Sequence, residues 1–178
     1  MMAVPKKRDA ERTRARILAA ASDAFAEQGF GLAGTRDIAK RADVTLSLIS
    51  RYFGTKAALY EQVLSEELNN YSTGGIDRHE FGRAIVAMLV DKSDRAIILT
   101  AVLSLADPEA RAITQRVTQA QILTPLAEWI GTPDADIRAM NILTLLNGSA
   151  LQLLSGDGVM PRGMSEWLAK AIQDIVDG

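Results

Sequence analysis

The 178-residue chain is 48% hydrophobic and 24% charged, the balance of a globular domain rather than of a disordered tail. With no cysteine and a single histidine, His79, it excludes disulfides, cysteine-bound zinc, thiol catalysis and most histidine-based metal or nucleophile sites. A formal net charge of −2 argues against nucleic acid, until the distribution is read: residues 1–60 hold 11 basic and 6 acidic side chains, the remainder 9 and 16.

A basic head on an acidic body meets a polyanion at one end only. Lys6, Lys7 and Arg8 begin that head, with Arg12, Arg14 and Arg16 beyond. They form either an arm along a duplex or a solubilising tail. No apolar signal core follows them. The longest apolar stretch, Ala96 to Ala106, is too short for a bilayer and is interrupted by Thr100 and Ser104. A cytoplasmic protein with no membrane partner is expected, and no cofactor.

Taken in order, the segments read as helices, because alternating β-branched runs are missing. The first starts near Asp9 to Thr13, and Ile17, Ala21, Ala24 and Phe25 repeat along one face. Gly29 suits a left-handed end, with Phe30 folding back on the last turn. Thr35 is placed to cap a short helix that carries Asp37 in its first turn and Ile38, Ala39 and Ala42 inward. Ala42-Asp43-Val44 breaks it. Thr45 caps the next, which runs to Tyr52 or Phe53 and is stopped by Gly54. Thr55 caps a fourth, through Leu59, Val63 and Leu68 to about Tyr71. Residues 72–77, with Gly74-Gly75, read as a break between domain cores. Further helices are expected at 78–91, 94–106, 108–130, 134–155 and 163–177, punctuated by Pro108, Pro133 and Pro161. The fold class is all-α, about nine helices: an N-terminal three-helix unit and a larger C-terminal bundle. Residues 1–55 are the expected DNA-binding domain and 56–178 the C-terminal one.

Two short capped helices joined by a three-residue turn, behind a longer helix, are the pattern of a helix-turn-helix. Val44 would plug the turn, while Ile49 and Phe53 face inward. Leu46, Ser47, Ser50 and Arg51 are then free for a major groove, where small serines let the backbone approach and Arg51 offers a guanine or phosphate contact. Arg36, Tyr52 and Lys56 are placed for phosphates, beside the free amides that open the Thr55 helix. Ordinary short helices with solvated charges would share this spacing.

Ile17-Leu18 to Gly29-Phe30, Thr35-Arg36-Asp37-Ile38-Ala39, Ala42-Asp43-Val44 and Tyr52-Phe53-Gly54-Thr55-Lys56-Ala57-Ala58-Leu59 together resemble the TetR family of bacterial regulators. The resemblance covers about residues 10–60 and holds its register over four elements. It implies phosphate contacts by Thr35, Tyr52 and Lys56. It implies base or mixed contacts by Arg36, Leu46, Ser47, Leu48, Ser50 and Arg51, and Thr45 belongs to the same set. Three departures bear on what is read. Asp43 stands in place of the family's turn glycine, Ser50 in place of a common tyrosine, and the apolar Leu46 and Leu48 suit thymine methyl groups better than hydrogen bonds.

The resemblance also implies a C-terminal body that dimerises and encloses a ligand. Met88, Leu99, Leu103, Ile122, Leu126, Trp129 and Asn147 either line that pocket or fill a core. Leu146, Ser149, Ala150, Leu153, Trp167, Leu168 and Ile172, on the last two helices, are the expected dimer interface, with Gly148 permitting close approach. His79 reads as a surface or capping residue. No catalytic or metal residues are expected, so an enzyme is disfavoured. The expected function is a homodimeric repressor of a palindromic operator on double-stranded DNA, released by a small apolar effector. The alternative is an effector-independent DNA-bound regulator whose C-terminal bundle recruits a protein.

Overall fold

The computed structural model describes residues 5–69, 75–91, 95–131 and 133–178, without the side chains of 5–8, 95–99 and 154. The chain begins with α1 (Pro5–Leu32), whose start precedes the expected Asp9. Ile17, Ala21, Ala24 and Phe25 are its fully buried face. At Gly29 the backbone leaves the helix with φ 72° and ψ 167°, a conformation open essentially only to glycine. The ψ is extended rather than left-handed helical, so the chain turns sharply and Phe30 returns to within 6.0 Å of Phe25, ring centre to ring centre.

Next come α2 (Thr35–Arg41) and α3 (Leu46–Phe53). Thr35 is the first helical residue and Gly34 the cap, whereas Thr45 does hold the cap position before α3. Its hydroxyl pairs with Ser47 Oγ at 2.9 Å instead of a backbone amide. Gly54, at φ 76°, ends α3, and the Thr55 hydroxyl accepts from the Ala58 amide at 3.1 Å to open α4 (Lys56–Asn69).

A 3-10 turn, Arg78–Glu80, leads into α5 (Phe81–Val90), and the Asp77 carboxylate caps it by accepting from the His79 amide at 2.9 Å. Then follow α6 (Arg95–Ser104) and α7 (Pro108–Thr118), the latter capped by Asp107. A π-helical turn, Gln119–Leu123, joins α7 to α8 (Thr124–Ile130) in one continuous rod. Pro125 accounts for the widening: it has no N–H to give the Gln121 carbonyl, and its ring would collide with that oxygen in a regular α-helix. The Thr124 amide reaches back to the Gln119 carbonyl instead. Finally α9 (Ala135–Ser155) and α10 (Met164–Asp177) complete an all-helical chain, with no strand among the described residues.

Two apolar cores organise these helices. The first joins α1, α2, α3 and α4 to Ala110, Ile113 and Val117 of α7. The second joins α5, α8, α9 and α10. The α7–α8 rod therefore changes sides, serving one core before the π turn and the other after it.

Candidate functional site

The turn between α2 and α3 is tight and locally determined. The Asp43 amide donates to the Lys40 carbonyl at 3.2 Å and the Val44 amide to Ala39 at 3.0 Å, while the Val44 side chain packs on the first core. Asp43 adopts φ 50°, the left-handed conformation that aspartate tolerates better than most residues. Its carboxylate is 98% exposed and meets Arg16 at 3.2 Å. The same guanidinium donates to the carbonyls of Asp43, at 2.9 Å, and of Ala42. Arg16 thus fastens the turn to α1 and neutralises the charge that Asp43 brings to this surface.

Ile49 is buried beneath α3, and Phe53 packs partly on the core with the Arg14 guanidinium 5.4 Å from its ring centre. What remains outside is Thr45, Leu46, Ser47, Ser50 and Arg51, with Leu48 and Tyr52 half-buried at the edges. Leu46 is 39% exposed, an apolar side chain left in solvent on an otherwise polar ridge. The Ser50 hydroxyl donates weakly to the Leu46 carbonyl of its own helix at 3.4 Å, while Ser47 pairs with the Thr45 hydroxyl. Arg36 is exposed at the start of α2 and Thr35 half-buried beside it. Neither Arg36 nor Arg51 has an ion-pair partner among the described residues.

Lys56 is turned inward. Its ammonium lies 4.4 Å from the centre of the Phe30 ring and 3.5 Å from the Gly31 carbonyl. Burial there lowers its pKa, and the carboxylates of Asp107 and Glu109 oppose that shift. To reach a phosphate, this side chain must leave the ring.

The C-terminal half contains a cavity of about 900 Å³. Met88, Ile122, Leu126 and Asn147 line it, together with Leu64 and Leu68 of α4, Thr114 of α7 and Leu143 of α9. Leu103 and Trp129 are elsewhere: Leu103 abuts Gly29, and Trp129 lies 4.8 Å from Phe81, ring centre to ring centre, with the Arg78 guanidinium 5.1 Å from its ring centre. The Leu99 side chain is outside the described residues. Sequence reading did not single out Gln121, Thr114 or Tyr60. The signal for Gln121 was Pro125, four residues on, inside an apparently unbroken helix.

Tyr60 links the two halves. It is fully buried, its ring meets Phe25 and Phe30 edge-on at 5.1 and 5.2 Å, and its hydroxyl lies 2.8 Å from Thr114 Oγ1 on the cavity wall. Desolvation raises its pKa. Around it, α4 is braced to α1 by Arg14–Glu66 at 2.8 Å and to α7 by Arg116–Glu61 at 2.8 Å.

On the last two helices, Leu168 and Ile172 are fully buried, and Ala150 and Leu153 nearly so, all inside the second core. Ser149 is buried as well, and Leu146 half-buried. Trp167, at 55% exposure, faces out with Ile137, Met140 and Leu151. Among the described residues no cluster suits a metal ion, and no helix is long and apolar enough to cross a membrane.

A buried-cored helix pair presenting an unpaired arginine and a small-residue ridge, beside a basic first helix, is a helix-turn-helix of the DNA-reading class. Comparison with known proteins agrees. Residues 17–63 match the family model of bacterial regulatory proteins of the tetR family, and residues 79–176 match that of the tetracyclin repressor-like C-terminal domain. The HTH-type transcriptional repressor Rv3405c of Mycobacterium tuberculosis is 38% identical over 93 residues, covering 46% of this chain and 48% of that protein. The match thus spans about half the length of this curated relative. A transcriptional regulator from a Rhodococcus species superposes with a TM-score of 0.67 at 26% identity, covering 92% of this chain and 94% of its own. A putative TetR-family regulator, also from Rhodococcus, shares the fold with a TM-score of 0.79 at 19% identity, over 93% and 99%. The chain belongs to the TetR family of DNA-binding transcriptional regulators.

Proposed function

We propose that this chain acts in the cytoplasm as a homodimeric repressor that holds a palindromic operator and releases it when a small apolar molecule enters the C-terminal cavity. Residues 1–55 would form the reader and 56–178 the body, with α4 and α7 contributing to the reader's core. The observation that carries the reading is the course of α4. One helix starts beside the recognition helix, buries Tyr60 against the reader's aromatic rings and then walls the cavity with Leu64 and Leu68. A change in cavity occupancy that displaces α4 displaces the base of α3. Two readers must fit successive grooves about 34 Å apart, so a small shift in both lowers affinity for the pair of half-sites.

For the dimer, the exposed Ile137, Met140 and Leu151, which recur on one side of α9, and the exposed Trp167 of α10 support a partner face, because apolar surface is stabilised by burial. The recruitment alternative gains no comparable support.

Selection of bound sequences from a random DNA pool, followed by titration of the enriched duplex at several salt concentrations, tests the reading. Palindromic enrichment and affinity that falls with salt are expected. Lys56→Ala should weaken binding on every sequence, while Arg51→Ala should cost about 1–3 kcal/mol on the preferred site and relax one position of it. No enrichment, or no palindrome, would overturn the reading.

A further inference from the structure

One face of α9 belongs to two features at once. Ile137, Met140, Thr144, Gly148 and Leu151 recur at spacings of three and four, so they share one side of the helix over about 21 Å. All five are exposed. Thr144, Gly148 and Leu151, with the exposed Asn147 beside them, also wall the cavity. The cavity therefore reaches the surface along this face.

Gly148 is unexplained within its own chain. It lies inside a helix, where glycine is less stable than alanine, and a Cβ built there meets nothing within 4 Å. Gly82 is the contrast, because a Cβ there would collide with the Ala169 carbonyl oxygen, so the packing of α5 on α10 requires glycine. The space left at Gly148 suits a backbone approaching from outside the chain.

The face is also free of charge. From Ala139 to Ser155 no residue carries one. Arg138, at its edge, turns away and donates to the carbonyls of Ile175 at 2.7 Å and Val176 at 2.6 Å. A two-fold axis lays a surface on its own copy, where a charge near the axis would meet its like. A neutral, partly apolar face suits such self-pairing.

We propose that a second copy of the chain packs two-fold on this face, with Gly148 at the crossing, and closes the cavity, so that the ligand site is complete only in the dimer. This rests on the homodimer of the proposed function and gives it a part in ligand binding. Occupancy of the site and dimerisation then strengthen one another.

Nile red, an uncharged apolar dye that brightens out of water, is the probe, and sedimentation velocity reads the dimer. The dye should bind the dimer about tenfold more tightly than the monomer, the gain from covering roughly 60 Å² more of its apolar surface. Saturating dye should lower the dimer Kd by about tenfold or more, a readout that the native protein gives whatever a substitution does to folding. Met140→Lys lies on the face but outside the cavity wall. It should weaken the dimer and dye binding together, and raising the protein concentration should restore both. Gly148→Ala should weaken the dimer although it meets nothing in its own chain. Equal dye affinity in monomer and dimer, or a dimer Kd that saturating dye does not move, overturns the proposal and leaves the homodimer standing. A dimer left at full strength by Met140→Lys or by Gly148→Ala does the same, as does a dimer that binds no dye. A chain that stays monomeric at every concentration overturns the proposal and the homodimer together.

Discussion

The two cores of this molecule are built to different standards. The first is closed around aromatic rings: Phe25, Phe30 and Tyr60 touch one another, and ion pairs from α4 to α1 and α7 brace the outside. The second is mainly aliphatic and opens into a cavity of about 900 Å³. Close packing makes a protein interior stiff and intolerant of change, whereas an unfilled space leaves its lining without partners on one side. The first core therefore holds one geometry, while the second leaves room for its lining to adapt. Under the proposed function, that difference sets rigidity at the DNA reader and adaptability at the ligand site.

The sharpest way to break this contrast is to truncate matched residues in each core. Ile113 of α7 lies in the carboxyl-terminal two-thirds of the chain yet is buried in the first core. Ile113→Ala should cost about 2–5 kcal/mol and accelerate amide exchange chiefly in α1 to α4. Ile172→Ala, the same truncation in the second core, should loosen α5, α9 and α10 instead. Exchange rising equally throughout after either change would dissolve the distinction.

A smaller effect is expected at the seam. Tyr60→Phe keeps the ring contacts and removes only the hydroxyl that meets Thr114, which retains Ser104 as a partner at 3.1 Å. The expected loss is about 1 kcal/mol, read as a fall in Tm of about 2–4 °C for a chain of this size. Unchanged Tm would mean that the hydroxyl adds nothing to the ring packing and ion pairs that hold the seam.

The smallest is electrostatic. Burial raises the Glu67 pKa above its ordinary 4.5, and a hydrogen bond from Ser22 partly opposes the shift. A carboxyl raised in the folded state contributes stability that is fully present below pH 4.5 and is lost as pH rises through the raised value. Glu67→Gln should therefore melt slightly higher than the native protein at neutral pH, with the gap closing on acidification. A gap that widens as pH falls would refute the burial argument and leave the reader's edge more solvated than described.

How much of this was legible beforehand depended on whether the signal was local. The helix-turn-helix was readable because its punctuation is carried by adjacent residues: Gly29, Asp43 and Gly54 each take a positive φ where a turn was expected. The all-helical fold followed from periodicity in the same way. Faces were harder. α10 has one apolar face, and the pattern could not say that its Leu168 and Ile172 fill the protomer's own core rather than meeting a second copy, while Trp167 stands on the outer side with Glu166, Lys170 and Asp174. The π turn was invisible for a related reason: residues 108–130 keep a helical rhythm throughout, and only Pro125 hints at a changed repeat. Asp43 shows the opposite case, a residue whose charge looked unfavourable until α1 supplied Arg16 from 27 residues away.

The joint at Gln119–Leu123 sets the phase of the rod that carries it. Residues before it present Ala110, Ile113 and Val117 to one core, and residues after it present Leu126, Ala127 and Ile130 to the other. The widened turn takes up one extra residue with the flanking helices still in phase, so deleting Thr118 from the regular helix just before it would turn α8 by about 100° against the first core, carrying Leu126 and Ile130 out of their seats. The rod is thus indexed like a keyed shaft, and a length change of a single residue there is a rotation of one half of the molecule's framework relative to the other.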